Sequence, residues 1–288
     1  MGLTHKESSV SYTCFDVSLS DQIAHIQLSR PEAYNSMVPE FWRELPEIVH
    51  TIDDAGEARA IVLSSQGKHF TAGMDLSVFT SDRNADQRDA EMGRRRANFR
   101  REVLRLQETF SCLDRARMPV LAAIQGGCIG GGVDLISACD IRYCSEDAFF
   151  CIQEVNIGMT ADVGTFPRLP LLIPQGVVRE LAYTGRRLTA PEALEVGLVN
   201  RVFPSHDALV AGVLDVAREI AERSPLAVWG SKEMLNYARD HSIADGLDYI
   251  ATWQTGMFQP GDMLEAFTAK SESRKPAFPD LIPVKNKL

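Results

Sequence analysis

The chain has 288 residues, 45% of them hydrophobic and 24% charged, with 30 basic against 39 acidic side chains and a net charge of −9. That composition excludes a disordered, collagen-like or coiled-coil chain, and at this length about three quarters of the unfolded surface can be buried without disulfides or metals. The acidic balance argues against a general nucleic-acid or anionic-membrane binder.

In chain order, Gln22–Leu28 carries apolar residues at 24, 26 and 28, the alternation of a half-buried strand, closed by Ser29-Arg30-Pro31. From Pro39, apolar positions 41, 45, 48, 49 and 52 predict an amphipathic helix. Pro46 removes a backbone donor inside that pattern, so the helix is expected to start late or kink there. Ala60–Leu63, Val120–Ile124 and Ile141–Cys144 read as strands, the first of them a continuous apolar run as expected for burial on both faces. Between the last two, Gly130–Gly132 precede Val133–Ala138, which predicts strand, glycine turn, helix, strand. Strands alternating with helices imply an α/β core with largely parallel pairing. From about residue 200 the pattern turns helical: Ser205 caps a helix with apolar residues at 209, 213, 216, 217 and 220. After Pro225, helical sequence continues through Lys232–Tyr237 and Ile243–Phe258. Residues 1–200 are therefore expected to form the α/β core, and 201–288 a helical region that packs on it.

Six cysteines, at 14, 112, 128, 139, 144 and 151, form no C-x-x-C pair, and they read as reduced thiols packed like small apolar residues. A reducing compartment follows. No apolar run approaches the roughly 20 residues of a membrane span. Met1–Tyr12 has neither a hydrophobic signal core nor an arginine-rich transit pattern. Asn286-Lys287-Leu288 differs from the peroxisomal Ser-Lys-Leu signal only at its first position, so a peroxisomal location is an expectation beside a cytoplasmic or mitochondrial one. Residues 91–105 hold six arginines and two glutamates, read as a solvated helix face in preference to a site for phosphates or RNA.

No nucleophile elbow, phosphate-binding P-loop or zinc-protease motif is present, and the six histidines are scattered. Two glycine-containing loops each follow a strand: His69-Phe70-Thr71-Ala72-Gly73-Met74-Asp75, and Gly126 through Asp134. Small residues there let a ligand approach the backbone, and two such loops could pool two amides into an oxyanion hole. They could equally be tight turns chosen for chain geometry. Three acids lie in stretches poor in other charges: Asp134 just inside the glycine-opened helix, Glu154, and Asp162 within Gly158–Gly164. Carboxylates in apolar surroundings are costly without partners or a protonation task. Alone, Asp134 would be a helix-cap group and Asp162 a turn former.

Together these segments resemble the enoyl-CoA hydratase/isomerase (crotonase) superfamily over residues 13–277. The resemblance rests on HFTAGMDL, AAIQGGCIGGGVDLISACDIRYCSEDAFF, EVNIGMTADVGT and TGRRLTAPEALEVGLVNRVF, in that order. Within it the chain is most similar to Δ3,5-Δ2,4-dienoyl-CoA isomerases, which carry acids matching Asp134, Glu154 and Asp162. The resemblance implies a spiral of ββα units with a C-terminal helical region, and a homotrimer or homohexamer. It implies an acyl-CoA thioester substrate and no separate cofactor, coenzyme A being part of the substrate.

The expected reaction is conversion of 3,5-dienoyl-CoA to 2,4-dienoyl-CoA in β-oxidation of unsaturated fatty acids. Glu154 is expected as the base at C2, Asp162 as the acid at C6, and Asp134 as the group that tunes their protonation. Thr71, Ala72, Gly73, Met74, Asp75, Gly131 and Gly132 are the expected substrate-binding residues, with the amides of Ala72 and Gly131 facing the thioester oxygen. A 2-enoyl-CoA hydratase, or a non-catalytic binding protein of the same fold, are the alternatives.

Overall fold

A computed structural model describes residues 11–75, 77–80, 90–258 and 260–284. Asn286-Lys287-Leu288 and most of Met1–Tyr12 lie outside the described residues.

The chain opens with the antiparallel strands β1 (Phe15–Ser20) and β2 (Ile23–Leu28), then α1 (Pro39–Ala55) and β3 (Ala60–Ser65). The short α2 (Ser77–Thr80) and the long α3 (Met92–Arg115) lead to β4 (Val120–Ile124), β5 (Gly127–Ile129) and α4 (Gly131–Ser137). Next come β6 (Ile141–Ser145), β7 (Phe149–Cys151), α5 (Thr165–Leu172) and α6 (Gln175–Thr184). They are followed by β8 (Leu188–Thr189), α7 (Ala190–Glu195) and β9 (Arg201–Phe203). Four helices end the described chain: α8 (His206–Ala221), α9 (Pro225–Tyr237), α10 (Ile243–Met257) and α11 (Pro260–Ser271).

The main sheet has the order β1-β2-β3-β4-β6-β9, and every pair beyond β1/β2 is parallel. A second sheet, β5-β7-β8, takes the strand that follows each of β4 and β6. Consecutive strands thus divide between two sheets before the chain turns into a helix, as in the ββα units expected.

The two-residue period of the strands builds two cores. Ile61 and Leu63 join Val120, Ala122 and Ile124 on one face, against α1 and α3 residues such as Leu45 and Phe110. Ala60, Val62, Leu121 and Ala123 point to the other, where Leu209, Val213 and Ala217 of α8 cover them. Burial on both faces is why these strands read as unbroken apolar runs.

Helix α1 starts at Pro39 and runs through Pro46, without the late start that the proline suggested. Pro46 leaves the carbonyl of Trp42 without its intrahelical donor, and the hydroxyl of Thr109 on α3 donates to it at 3.1 Å. The helix ends at Gly56, whose φ of +73° closes the last turn.

The expected junction at residues 200 and 201 falls directly before β9, the edge strand of the main sheet. Residues 201–221 therefore contribute a strand and a covering helix to the core, and the purely helical part begins with α9. Lys232 anchors α9: its buried Nζ donates to Leu113 O at 2.8 Å, Met118 O at 3.1 Å and Asp140 Oδ2 at 2.8 Å.

All six cysteines are buried and unpaired, and burial pushes the thiols of Cys112, Cys139 and Cys144 up to about 12. Among the described residues no helix is long and apolar enough to cross a membrane. The arginines of α3 are solvent-exposed, and the last of them, Arg115, pairs with Glu108 on the same helix.

Candidate active site

The first glycine loop, residues 69–75, lies against the start of β5 and α4. Thr71 pairs with Cys128 across a parallel bridge, its amide donating to Gly127 O at 3.1 Å and its carbonyl accepting from the Ile129 amide at 3.2 Å. Gly73 is required by this approach. Its φ is +82°, and a Cβ there would stand 2.6 Å from Ile129 O and 3.5 Å from the Gly131 nitrogen.

The backbone donors of the two loops can be accounted for one by one. Phe70 donates to Gln125 O at 2.8 Å, Ala72 to Tyr34 O at 2.9 Å, and Asp75 to Met37 O at 3.2 Å. Gly73 donates to the hydroxyl of its neighbour Thr71 at 3.1 Å. On the other side Gly127 donates to His69 Nδ1 at 2.8 Å, and Gly130 to Cys151 O at 2.9 Å. Among the described residues no acceptor meets the amides of Met74 and Gly131. Gly131 opens α4, where the first amides of a helix have no intrahelical partner.

This corrects one expectation. The Ala72 amide is consumed by Tyr34 O, so it cannot face a substrate oxygen. The free donor on this loop is Met74, two residues further along the chain. Asp75 is likewise committed: its carboxylate accepts from Ser36 Oγ at 2.8 Å and from the amide and hydroxyl of Ser77, which hold it below the usual carboxylate range. Gly132 packs against Thr71, whose Cγ2 would lie 2.6 Å from an added Cβ.

Asn35 escaped the sequence reading and holds this loop in place. It is buried at φ +52°, and its Nδ2 donates to Gln66 O at 2.8 Å and His69 O at 2.9 Å. Its own carbonyl accepts the Thr71 hydroxyl at 2.7 Å. The only available signal was an asparagine, a residue that tolerates the left-handed region, placed after Pro31 between two predicted elements.

The three acids converge beside the second loop. Asp134 on α4 is fully buried; its Oδ1 accepts the Thr165 amide at 2.6 Å, and Oδ2 has no partner among the described residues. Burial pushes its carboxyl up to about 6; Thr165 and Arg168 oppose the shift, while Asp162 adds to it. Glu154 begins a 3-10 turn (Glu154–Ile157) and is half-buried. Its Oε1 would lie 3.2 Å from a Cβ on Gly130, and its Oε2 is buried without a partner. Burial, then the charges of Asp134 and Asp162, push it up to about 7, against its backbone hydrogen bond. Asp162 sits at the exposed rim, shifted upward by partial burial, with its carbonyl accepting from Gln107 Nε2 of α3 at 2.7 Å.

The structure therefore brings two unengaged amides and three carboxyls of raised proton affinity to one place. Among the described residues no cluster of His, Cys, Asp and Glu is arranged to hold a metal ion.

Residues 18–281 match the family described as enoyl-CoA hydratase/isomerase. The chain is 45% identical to the mitochondrial Delta(3,5)-Delta(2,4)-dienoyl-CoA isomerase of Homo sapiens, over 90% of this chain and 79% of that protein. It is 42% identical to the peroxisomal Delta(3,5)-Delta(2,4)-dienoyl-CoA isomerase of Arabidopsis thaliana, over 90% and 93% respectively. In three dimensions it is similar to an enoyl-CoA hydratase from Bacillus anthracis, with a TM-score of 0.81 and 30% identity over 94% of this chain and all of that one. Fold and sequence agree, and the chain belongs to the enoyl-CoA hydratase/isomerase family.

Proposed function

We propose that this protein is a dienoyl-CoA isomerase of fatty acid oxidation, converting 3,5-dienoyl-CoA to 2,4-dienoyl-CoA. The observation that carries this reading is the juxtaposition of two free amides with three acids, supported by relatives named for that reaction. The thioester oxygen accepts from the amides of Met74 and Gly131. Charge grows on that oxygen as C2 loses its proton, so these donors stabilise the transition state more than the ground state.

Glu154 takes the C2 proton. It borders the Gly130–Gly131 turn that holds the carbonyl end, and a base whose value lies near 7 is well matched to neutral pH. The electron pair of the broken C2–H bond spreads over the thioester oxygen and the diene. A proton delivered to C6 by Asp162 then leaves double bonds at C2 and C4. Asp134 stays ionised and raises Glu154. The reaction needs no separate cofactor. Thr71, Gly73 and Gly132 shape the loop that receives the thioester.

The apolar side chains exposed on α10 and α11, including Ile243, Leu247 and Phe267, support assembly into a homotrimer or homohexamer. Residence in mitochondria or peroxisomes is supported by the relatives' names.

The test is an assay of purified protein on 3,5-dienoyl-CoA beside 2-enoyl-CoA. Growth of the conjugated dienoyl absorbance is expected. Loss of the enoyl absorbance, with no turnover of the diene, would instead make the protein a hydratase.

A further inference from the structure

Arg168 lies on α5, one turn after the Thr165 amide that binds Asp134. Its guanidinium is held from the far side: Nε donates to Asp114 Oδ2 at 2.8 Å and Nη2 to Ser111 Oγ at 3.0 Å. Asp114 is itself shared with Arg239 at 3.0 Å. The third nitrogen, Nη1, turns towards the acid cluster through a space that only glycine leaves open. Gly164 has φ +148°, and a Cβ there would collide with Nη1 while standing 4.0 Å from Asp134 Oδ1. No hydrogen bond joins Arg168 to Asp134. The guanidinium is a fixed charge beside the carboxylate, not a ligand to it.

We propose that Arg168 is a positioning residue: clamped by Asp114 and Ser111 and admitted by Gly164, it keeps Asp134 ionised within the acid cluster. This rests on the isomerase reading of the same site. The cycle above needs a proton on Asp162 while Asp134 and Glu154 are charged, which a cluster of three like charges resists. A cation placed next to Asp134 alone breaks that symmetry. The other titratable groups facing Asp134 are Glu154 and Asp162, together with Cys128 of β5, whose buried thiol stays neutral. Asp114 partly offsets the guanidinium, so the effect is smaller than that of an isolated ion pair. Arg168 touches no reacting atom and acts through Asp134.

The test is the midpoint of the Asp134 carboxyl, followed by carbon-13 NMR and assigned with Asp134→Asn, in wild type, Arg168→Gln and Arg168→Lys. Removing the cation is expected to raise the midpoint by about half a unit or more, whereas lysine preserves it to within about 0.3. The acidic limb of kcat/KM moves upward with it in Arg168→Gln, because both Asp134 and Glu154 must be ionised. A merely structural arginine would lower stability and leave the midpoint where it was, and that result overturns the proposal.

Should Arg168→Gln not fold, Asp114→Asn carries the test. It removes the offsetting anion while leaving both arginines, so the Asp134 midpoint is expected to fall; a midpoint that stays or rises overturns the proposal. The NMR measurement needs no turnover. Absence of dienoyl isomerisation in wild type would therefore sink the functional reading separately.

Discussion

In the proposed mechanism Glu154 and Asp162 divide the proton transfer between two ends of a diene, so each is needed for a different bond. Asp162→Asn is expected to lower kcat on 3,5-dienoyl-CoA by about 100-fold or more, the usual scale of a general acid. Near-wild-type turnover in that variant would refute the two-acid scheme. The pH dependence has a definite sign. Glu154 must be ionised to accept the C2 proton, so kcat/KM falls as pH drops through about 7. The same shift costs stability. A carboxyl raised on folding binds its proton more tightly in the folded chain, so stability declines from the unfolded value near 4.3 up to about 7 and is then flat. Glu154→Gln is accordingly expected to raise Tm at pH 8 while abolishing turnover. Asp134, Glu154 and Asp162 were legible in the sequence because charged residues stand out in apolar stretches. Thr165 and Arg168 were not, since a threonine and an arginine in a helix have ordinary surface roles until the fold shows what they face.

At the scale of the element, the oxyanion pair is a product of bookkeeping between two loops. Gly73 and Asp75 beside Met74, and Gly130 beside Gly131, are engaged, and the Thr71 hydroxyl is the piece that engages Gly73. Thr71→Val keeps the shape and loses the hydroxyl, leaving Asn35 O and the Gly73 amide unpaired. A fall in kcat of about 10-fold, with KM changed little, is expected from one lost buried hydrogen bond, and Thr71→Ser should restore most of it. A larger loss in Thr71→Ser than in Thr71→Val would show that the methyl packing against Gly132 matters more. The glycines announced this element, but the choice of amide did not follow from them. Which donor is free depends on Tyr34 O and Met37 O, carbonyls some 40 residues away in sequence.

On the scale of the molecule, a parallel sheet covered on both faces positions the β4–β5–α4 turn, and the C-terminal helices are fastened to it by a few buried polar groups. Lys232→Met would leave the carbonyls of Leu113 and Met118 without this donor and Asp140 Oδ2 with the Val120 amide alone. It is expected to cost about 3 kcal/mol in urea unfolding, with kcat nearly unchanged in the folded fraction, as is typical when a buried charge pair is broken. A loss under about 1 kcal/mol would mean that water replaces the ammonium. Sequence alone determined the α/β class and the central strands, because alternation and apolar runs are local signals; the two glycine loops and the three acids stood out locally, but only the family resemblance gathered them into one site. Sequence alone missed β1, which alternates apolar and polar residues but buries only Phe15, and the short strands β5, β7, β8 and β9, which are too brief to show a period. Only the tertiary structure decided that Met74 rather than Ala72 is the free donor, that residues 201–221 complete the core, and that Arg168 stands beside Asp134. Each depends on which groups from distant segments meet, and hydrogen-bond satisfaction and charge proximity are properties of that meeting.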